Sequence, residues 1–253
     1  MPLDLPPSTT ERVELGSTAA RLNVQMRHHA AHDVMRAAVK AVPNLALVSS
    51  FGAESVALLH LASRVKKDLP VLFIDTEMLF PETLAYQRDV AIKLGLTKIQ
   101  VVRAKDIATH DPDATLHRTA PDACCFLRKT APLQDALAGF DGWITGRKRF
   151  QSGTRASLPH FEAEEHEPEA SGRIKVNPLA FWATQDVQEY ITENKLPRHP
   201  LVARGYPSIG CAPCTSPVAQ GEDPRAGRWR DQAKDECGIH FADGKMIRTG
   251  AKT

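Results

Sequence analysis

Apolar positions along this chain fall into two patterns. "LALVSS" after Pro43 and "PVLFID" are short apolar runs that read as buried strands, and "IQVV" reads as a third strand. Between them, "VALLHLASRV" and "PETLAYQRDVAIKLGL" carry apolar residues at helical spacing. The second opens on Pro81 and Glu82 and stops at Gly95, which are helix start and stop signals. "LNVQMRHHAAHDVMRAAVKAV" also reads as helical, "GWITG" as a fourth strand after a helical stretch beyond Cys125, and "NPLAFWATQDVQEYITENKLP" as a further helix. Strands alternating with helices predict an α/β fold, a parallel sheet flanked by helices on both faces.

The pattern weakens in three places. Residues 1–20 are rich in Pro, Ser, Thr and charge and are expected to be loosely ordered. Residues 150–175 are polar and irregular, expected as a mobile loop or an exposed hairpin. Beyond Cys214 the chain has few apolar residues to bury, so 215–253 is expected to be a flexible tail, leaving 21–214 as the main domain.

Charge changes the picture by exclusion. There are 32 Lys and Arg against 30 Asp and Glu, a net charge of +2. A dedicated nucleic-acid binder would carry a clear basic excess. No apolar stretch approaches the ~20 residues of a membrane span, and the N-terminus does not read as a secretory signal. A cytoplasmic chain is the expectation, and in that compartment cysteines serve as metal ligands or redox groups more often than as disulfides.

Two loops follow strands where parallel sheets place ligands. "SSFGAES" (49–55) joins a strand to a helix, and its Ser and Gly residues with the helix N-terminus suit an anion. It also reads as an ordinary helix-capping turn, and it lacks the G-K-[ST] ending of a Walker loop. Asp75 and Thr76 stand at the end of the next strand, as ligand contacts or as helix caps.

The five cysteines are 124, 125, 211, 214 and 237. Cys124 and Cys125 are adjacent, a spacing that strains a disulfide, and Cys211 and Cys214 form C-x-x-C. Zinc accepts such pairs when they can close a tetrahedron. An iron–sulfur cluster gives each thiolate its own iron, so neighbouring cysteines can take separate corners, and four thiolates complete a 4Fe-4S cluster. Cys237 is left over. Lys234, His240 and "PRAGRWR" lie nearby in the sequence, and cationic neighbours favour the nucleophilic thiolate.

Taken in order, "SSFGAES", "IDTEMLFPET", "CCFLRK", "TGRKRFQSGTR", "HPLVARGYPSIGCAPCT", "RAGRW" and "ECGIH" resemble the assimilatory sulfonucleotide reductases, in particular their iron–sulfur branch, the adenosine 5′-phosphosulfate (APS) reductases. The resemblance runs from about residue 45 to 240. It implies an adenine-nucleotide alpha-hydrolase-like fold with a modified pyrophosphate loop, and a 4Fe-4S cluster on Cys124, Cys125, Cys211 and Cys214. It further implies nucleotide contacts from Ser49, Ser50, Gly52, Glu54, Ser55 and Asp75, and phosphosulfate contacts from Arg155, Arg225 and Arg228. Lys129 would stand between cluster and substrate, and His240 would join the substrate contacts. Cys237 would attack the sulfate sulfur and release AMP, and thioredoxin or glutaredoxin would release sulfite from the resulting S-sulfocysteine. A homo-oligomer is compatible with the sequence.

Three positions depart from the family pattern: Glu77 where a Gly is common, Phe150 where Asp is common, and Arg230 where a second Trp is frequent. The rival readings are a 3′-phospho-APS (PAPS) reductase that keeps a cluster, an ATP-using enzyme of the same fold, and a non-enzymatic zinc or iron–sulfur module.

Overall fold

Strand β1 (Leu45–Ser49) lies inside a six-stranded sheet of order β3-β2-β1-β4-β6-β5. The computed structural model describes residues 9–151, 153–164, 172–230, 232 and 234. Helix α1 is Thr9–Met26 and α2 is Ala31–Ala41; after β1 come α3 (Ser55–Val65), β2 (Val71–Ile74), α4 (Pro81–Leu94) and β3 (Ile99–Val102). Short helices α5 (Ile107–His110), α6 (Leu116–Thr119) and α7 (Pro121–Cys125) lead through a π turn at Phe126–Thr130 into α8 (Ala131–Leu137). Strands β4 (Gly142–Ile144), β5 (Phe161–Glu164) and β6 (Arg173–Val176) and helix α9 (Thr184–Glu193) follow.

Alternation along each strand builds two cores. Leu45, Leu47, Val71, Phe73, Ile144, Ile174 and Val176 point into a large core shared with α1, α2, α3 and α9. Ala46, Leu72, Ile74 and Trp143 point the other way, against Leu133 and Leu137 of α8. Both faces of β1 and β2 are covered, which is why they read as continuous apolar runs, whereas the edge strand β3 leaves Gln100 and Val101 exposed.

The pairings β1–β2, β2–β3, β1–β4 and β4–β6 are parallel, and β5 runs antiparallel to β6 at the edge. The sheet is therefore mixed but mostly parallel. The stretch expected as a mobile loop or an exposed hairpin holds the antiparallel pair β5–β6, with β6 buried rather than exposed. Strand β6 was hidden because it alternates apolar residues with cations. Lys175, buried, sits 3.0 Å from Glu164 Oε1 of β5, and Trp143 Nε1 donates to the other oxygen of that carboxylate at 2.7 Å.

Of the N-terminal stretch expected to be loosely ordered, residues 1–8 lie outside the described residues and residues from Thr9 on are helical. Ala19 and Leu22 are buried in the larger core. Asn23 closes the sheet edge, with Nδ2 donating to Phe161 O at 2.8 Å and Oδ1 accepting from Phe161 N at 2.9 Å. These bonds satisfy backbone groups that an edge strand leaves open. The helical pattern from Leu22 to Val42 is two helices, broken between Met26 and Ala31. Most of the proposed tail, including Cys237 and His240, lies outside the described residues.

Candidate active site

A cleft of about 240 Å³ opens at the carboxyl ends of β1, β2 and β4. It straddles β1 and β4, where the strand order reverses and open α/β sheets bind their ligands. One wall is the loop from Ser49 to Ser55. Phe51 is fully buried with φ of 49°, its ring edge-on to Phe73, and its backbone N–H donates to Ser49 Oγ at 3.1 Å. Burying Phe51 turns the loop so that Ser50, Gly52 and Ser55 face the cleft at the start of α3. Across from them, a Cβ added to Gly52 would stand 3.1 Å from Ile209 O.

Six cations line this cleft: Lys129, Arg147, Lys148, Arg155, Arg225 and Arg228. Among the described lining residues Glu54 is the one carboxylate. Lys148 Nζ holds it at 2.9 Å, with both side chains largely out of water. Burial pulls the Lys148 amine below its ordinary range, and the Glu54 carboxylate opposes that shift. Arg147 is anchored from behind by Glu162 and by Asn177 Oδ1, the latter at 3.2 Å. The site therefore holds an excess of positive charge in partly dry surroundings, where charge-assisted bonds to an anion are strong.

The cysteines adjoin the Lys129 side of the cleft. Cys124 and Cys125 end α7, and both are buried. Successive residues of an α-helix point ~100° apart, and the π turn that begins at Phe126 reshapes the helix directly after the pair. Cys211 and Cys214 bracket a single 3-10 turn, tied to the β2 loop by Ala212 N donating to Met78 O at 2.7 Å. Arg128, three residues past Cys125, donates to Thr76 O at 3.0 Å, and Thr76 Oγ1 lies 3.2 Å from Cys211 Sγ, so both cysteine segments adjoin the loop after β2. Among the described residues, no three His, Cys, Asp or Glu side chains are arranged to hold a single metal ion.

Burial pushes the Cys211 thiol up. The Lys129 ammonium, the Thr76 hydroxyl and Arg228 outweigh it, leaving Cys211 below its ordinary range. Thr76 Oγ1 lies 3.2 Å from Cys211 Sγ. Burial holds Cys124 above its usual value against the pull of Arg128, and burial with the neighbouring Cys211 does the same for Cys214. Lys129 both lines the cleft and lowers the Cys211 thiol, so its charge acts on the anion site and on the thiols.

Of the residues expected from sequence, Ser49, Ser50, Gly52, Glu54, Ser55, Lys129, Arg155, Arg225 and Arg228 line the cleft. Asp75 does not. Its carboxylate accepts from Arg103 NH2 at 2.8 Å and from Glu77 N at 3.0 Å, holding the β2 and β3 ends together. Cys237 and His240 lie outside the described residues. Sequence reasoning gave no role to Arg147, Lys148 or Gln151, or to Pro207–Gly210, which also line the cleft. Their signal was present in "TGRKRFQSGTR" and "GYPSIGCAPCT".

The model of the phosphoadenosine phosphosulfate reductase domain matches residues 44–217. The adenosine 5′-phosphosulfate reductase of Mesorhizobium japonicum is 48% identical over 209 residues, covering 82% of this chain and 80% of the relative. That of a Chelativorans species is 45% identical over 228 residues, covering 88% and 91%. Among solved structures, the phosphoadenylyl-sulfate (PAPS) reductase of Candida auris, in a phosphate complex, matches with a TM-score of 0.67 at 33% identity, covering 79% of this chain and 96% of that one. Candida glabrata FMN adenylyltransferase, with a TM-score of 0.54 at 13% identity over 83% of this chain and 77% of that one, shares the fold alone.

Proposed function

The chain belongs to the phosphoadenosine phosphosulfate reductase domain family, and on that premise we propose that it reduces adenosine 5′-phosphosulfate to sulfite and AMP for sulfate assimilation. The observation that carries this reading is the position of Lys129, shared between a strongly cationic cleft and a buried thiol. The relatives named for APS support the choice of substrate.

In this reading the Ser49–Ser55 loop holds the nucleotide, and Lys129, Arg155, Arg225 and Arg228 hold the phosphosulfate. The Cys237 thiolate attacks the sulfate sulfur; the bond from sulfur to the phosphate-bridging oxygen breaks, and AMP leaves with the electron pair. A dithiol protein, thioredoxin or glutaredoxin, then attacks the Cys237 sulfur and expels sulfite. Its second thiol resolves the mixed disulfide, so the partner is oxidised and Cys237 returns as thiolate. An anionic thiolate approaching an anionic ester requires the positive charge that the cleft concentrates. Lys234 packs against Trp229 and pairs with Asp122 of α7.

Cys124, Cys125, Cys211 and Cys214 would hold a 4Fe-4S cluster. The donor types fit: four cysteine thiols, soft ligands throughout, on two segments that both adjoin Thr76. Held there, the cluster would supply a compact charged body beside Lys129. In this reading the nucleotide- and cluster-binding domain ends at Cys214 and includes α1, whose Ala19 is buried in the larger core, and 215–253 is the tail that carries the nucleophile. Among the described residues no helix is long and apolar enough to cross a membrane, and a cytoplasmic enzyme is proposed.

The test is sulfite release with reduced thioredoxin, APS being compared with PAPS at equal concentration. APS turnover well above PAPS turnover is expected. The reverse preference would move the chain to the activity named for its Candida auris relative.

A further inference from the structure

Gly210 sits between Ile209 and Cys211, and its open side is filled by another residue. A Cβ built on Gly210 would stand 2.3 Å from Arg228 NH2, 2.5 Å from Cζ and 3.0 Å from Nε. The three similar distances lay the guanidinium face against the Gly210 backbone. The same guanidinium lies 4.4 Å from the centroid of the Trp229 ring. Backbone contacts fix the two segments in this register. Thr215 and Arg228 form an antiparallel bridge, Trp229 N donates to Cys214 O at 3.0 Å, and Ser216 N donates to Gly227 O at 2.8 Å. Gly210 N donates to Thr215 Oγ1 at 3.2 Å, and that hydroxyl donates to Cys211 O at 2.9 Å. Neither segment has room to slide.

Gly210 is not among the residues with positive φ, so alanine at 210 is opposed by space and not by backbone strain. Arg228 and Gly210 both line the cleft, and the Arg228 charge also reaches Cys211 and Cys214. A methyl group at 210 would push the cation off this seat and away from the thiols.

We propose that Gly210 is a positioning residue, whose missing side chain seats the Arg228 guanidinium between the C-x-x-C turn and the bound anion. This rests on the anion-binding reading of the cleft given above. The test is a double-mutant cycle on the full chain: wild type, Gly210→Ala, Arg228→Ala and the double variant. Affinities for APS and for inorganic sulfate are measured by calorimetry, alongside unfolding midpoints and iron content. Gly210→Ala is expected to weaken both ligands roughly tenfold, the scale of one charge-assisted contact. In the Arg228→Ala background the same change should cost nothing further, in affinity or in midpoint. Gly210→Ala with Arg228→Lys should bind as Arg228→Lys alone does, because a lysine stem can bend around the methyl.

Equal losses from Gly210→Ala with and without Arg228 would overturn the proposal, as would unchanged affinity in the single variant. If wild type binds sulfate but not APS, the functional reading fails, and the cycle on sulfate still decides the role of Gly210.

Discussion

Arg128 NH2 lies 2.8 Å from Asp111 Oδ2, and both side chains are buried beside the tandem cysteines. Arg128 also donates to Thr76 O at 3.0 Å, one residue from the Asp75 brace, and Asp111 accepts from the backbone of Thr115 and Leu116. One ion pair thus ties the loop before α6, the π turn and the end of β2 into a frame for Cys124 and Cys211.

Asp111→Ala should therefore destabilise the protein by about 3–5 kcal/mol, the cost of leaving a buried charge without its partner. Iron content should fall with it, because the frame that holds the cysteine segments loosens. Asp111→Ala combined with Arg128→Met should recover part of the loss. Denaturant midpoints for the three variants check this. A single variant as stable as wild type would mean the pair is solvated in solution.

Glu77 stands at φ of 58°, in the left-handed region that favours glycine, and is exposed. An L-residue there costs roughly 1–2 kcal/mol, partly offset by the greater freedom a glycine has in the unfolded chain. Glu77→Gly should raise stability by up to about 1 kcal/mol, since the backbone N–H bond to Asp75 needs no side chain. A lower denaturation midpoint in Glu77→Gly would show that the carboxylate makes a stabilising contact of its own.

How legible these features were depended on where each partner lies in the sequence. β1 and β2 stand out because both faces are apolar, and the core clusters use the alternate residues as expected. β6 did not, because Arg173 and Lys175 read as surface until Glu164, on the neighbouring strand, is seen to pair with Lys175. Asp75 was placed in the site because its strand end is the right place for a ligand. Its actual partner, Arg103, stands just past the end of β3, a register the sequence does not print. Lys148 is hard to place from sequence for the same reason: the carboxylate that anchors it is 94 residues away. Ser/Gly loops and cysteine pairs were visible because their chemistry is local.

Lys148 is needed less as an anion contact than as the counter-charge of Glu54. Lys148→Met should leave that carboxylate facing the bound phosphosulfate and cost about tenfold or more in APS affinity. Adding Glu54→Gln should restore much of the loss, which a simple missing contact would not allow. Calorimetric titration of the single and double variants decides between the two. If the double variant binds more weakly than Lys148→Met, Glu54 touches the nucleotide directly.

Cys237→Ser should separate binding from chemistry. In the proposed reading Cys237 is neither a cluster ligand nor a nucleotide contact, so iron content and APS affinity should survive its loss. A serine hydroxyl is scarcely ionised near neutral pH, whereas a thiol among cations is partly thiolate, so turnover should fall to background. In the wild-type protein, APS added without a dithiol partner should release about one AMP per chain, the stoichiometry of a covalent half-reaction. Mass spectrometry should find one sulfo group on the proteolytic fragment carrying Cys237. Reduced thioredoxin should remove that group as sulfite, and the serine variant should never acquire it. A sulfo group on any other cysteine, or sulfite made at near-native rate by the variant, would place the nucleophile elsewhere in the chain.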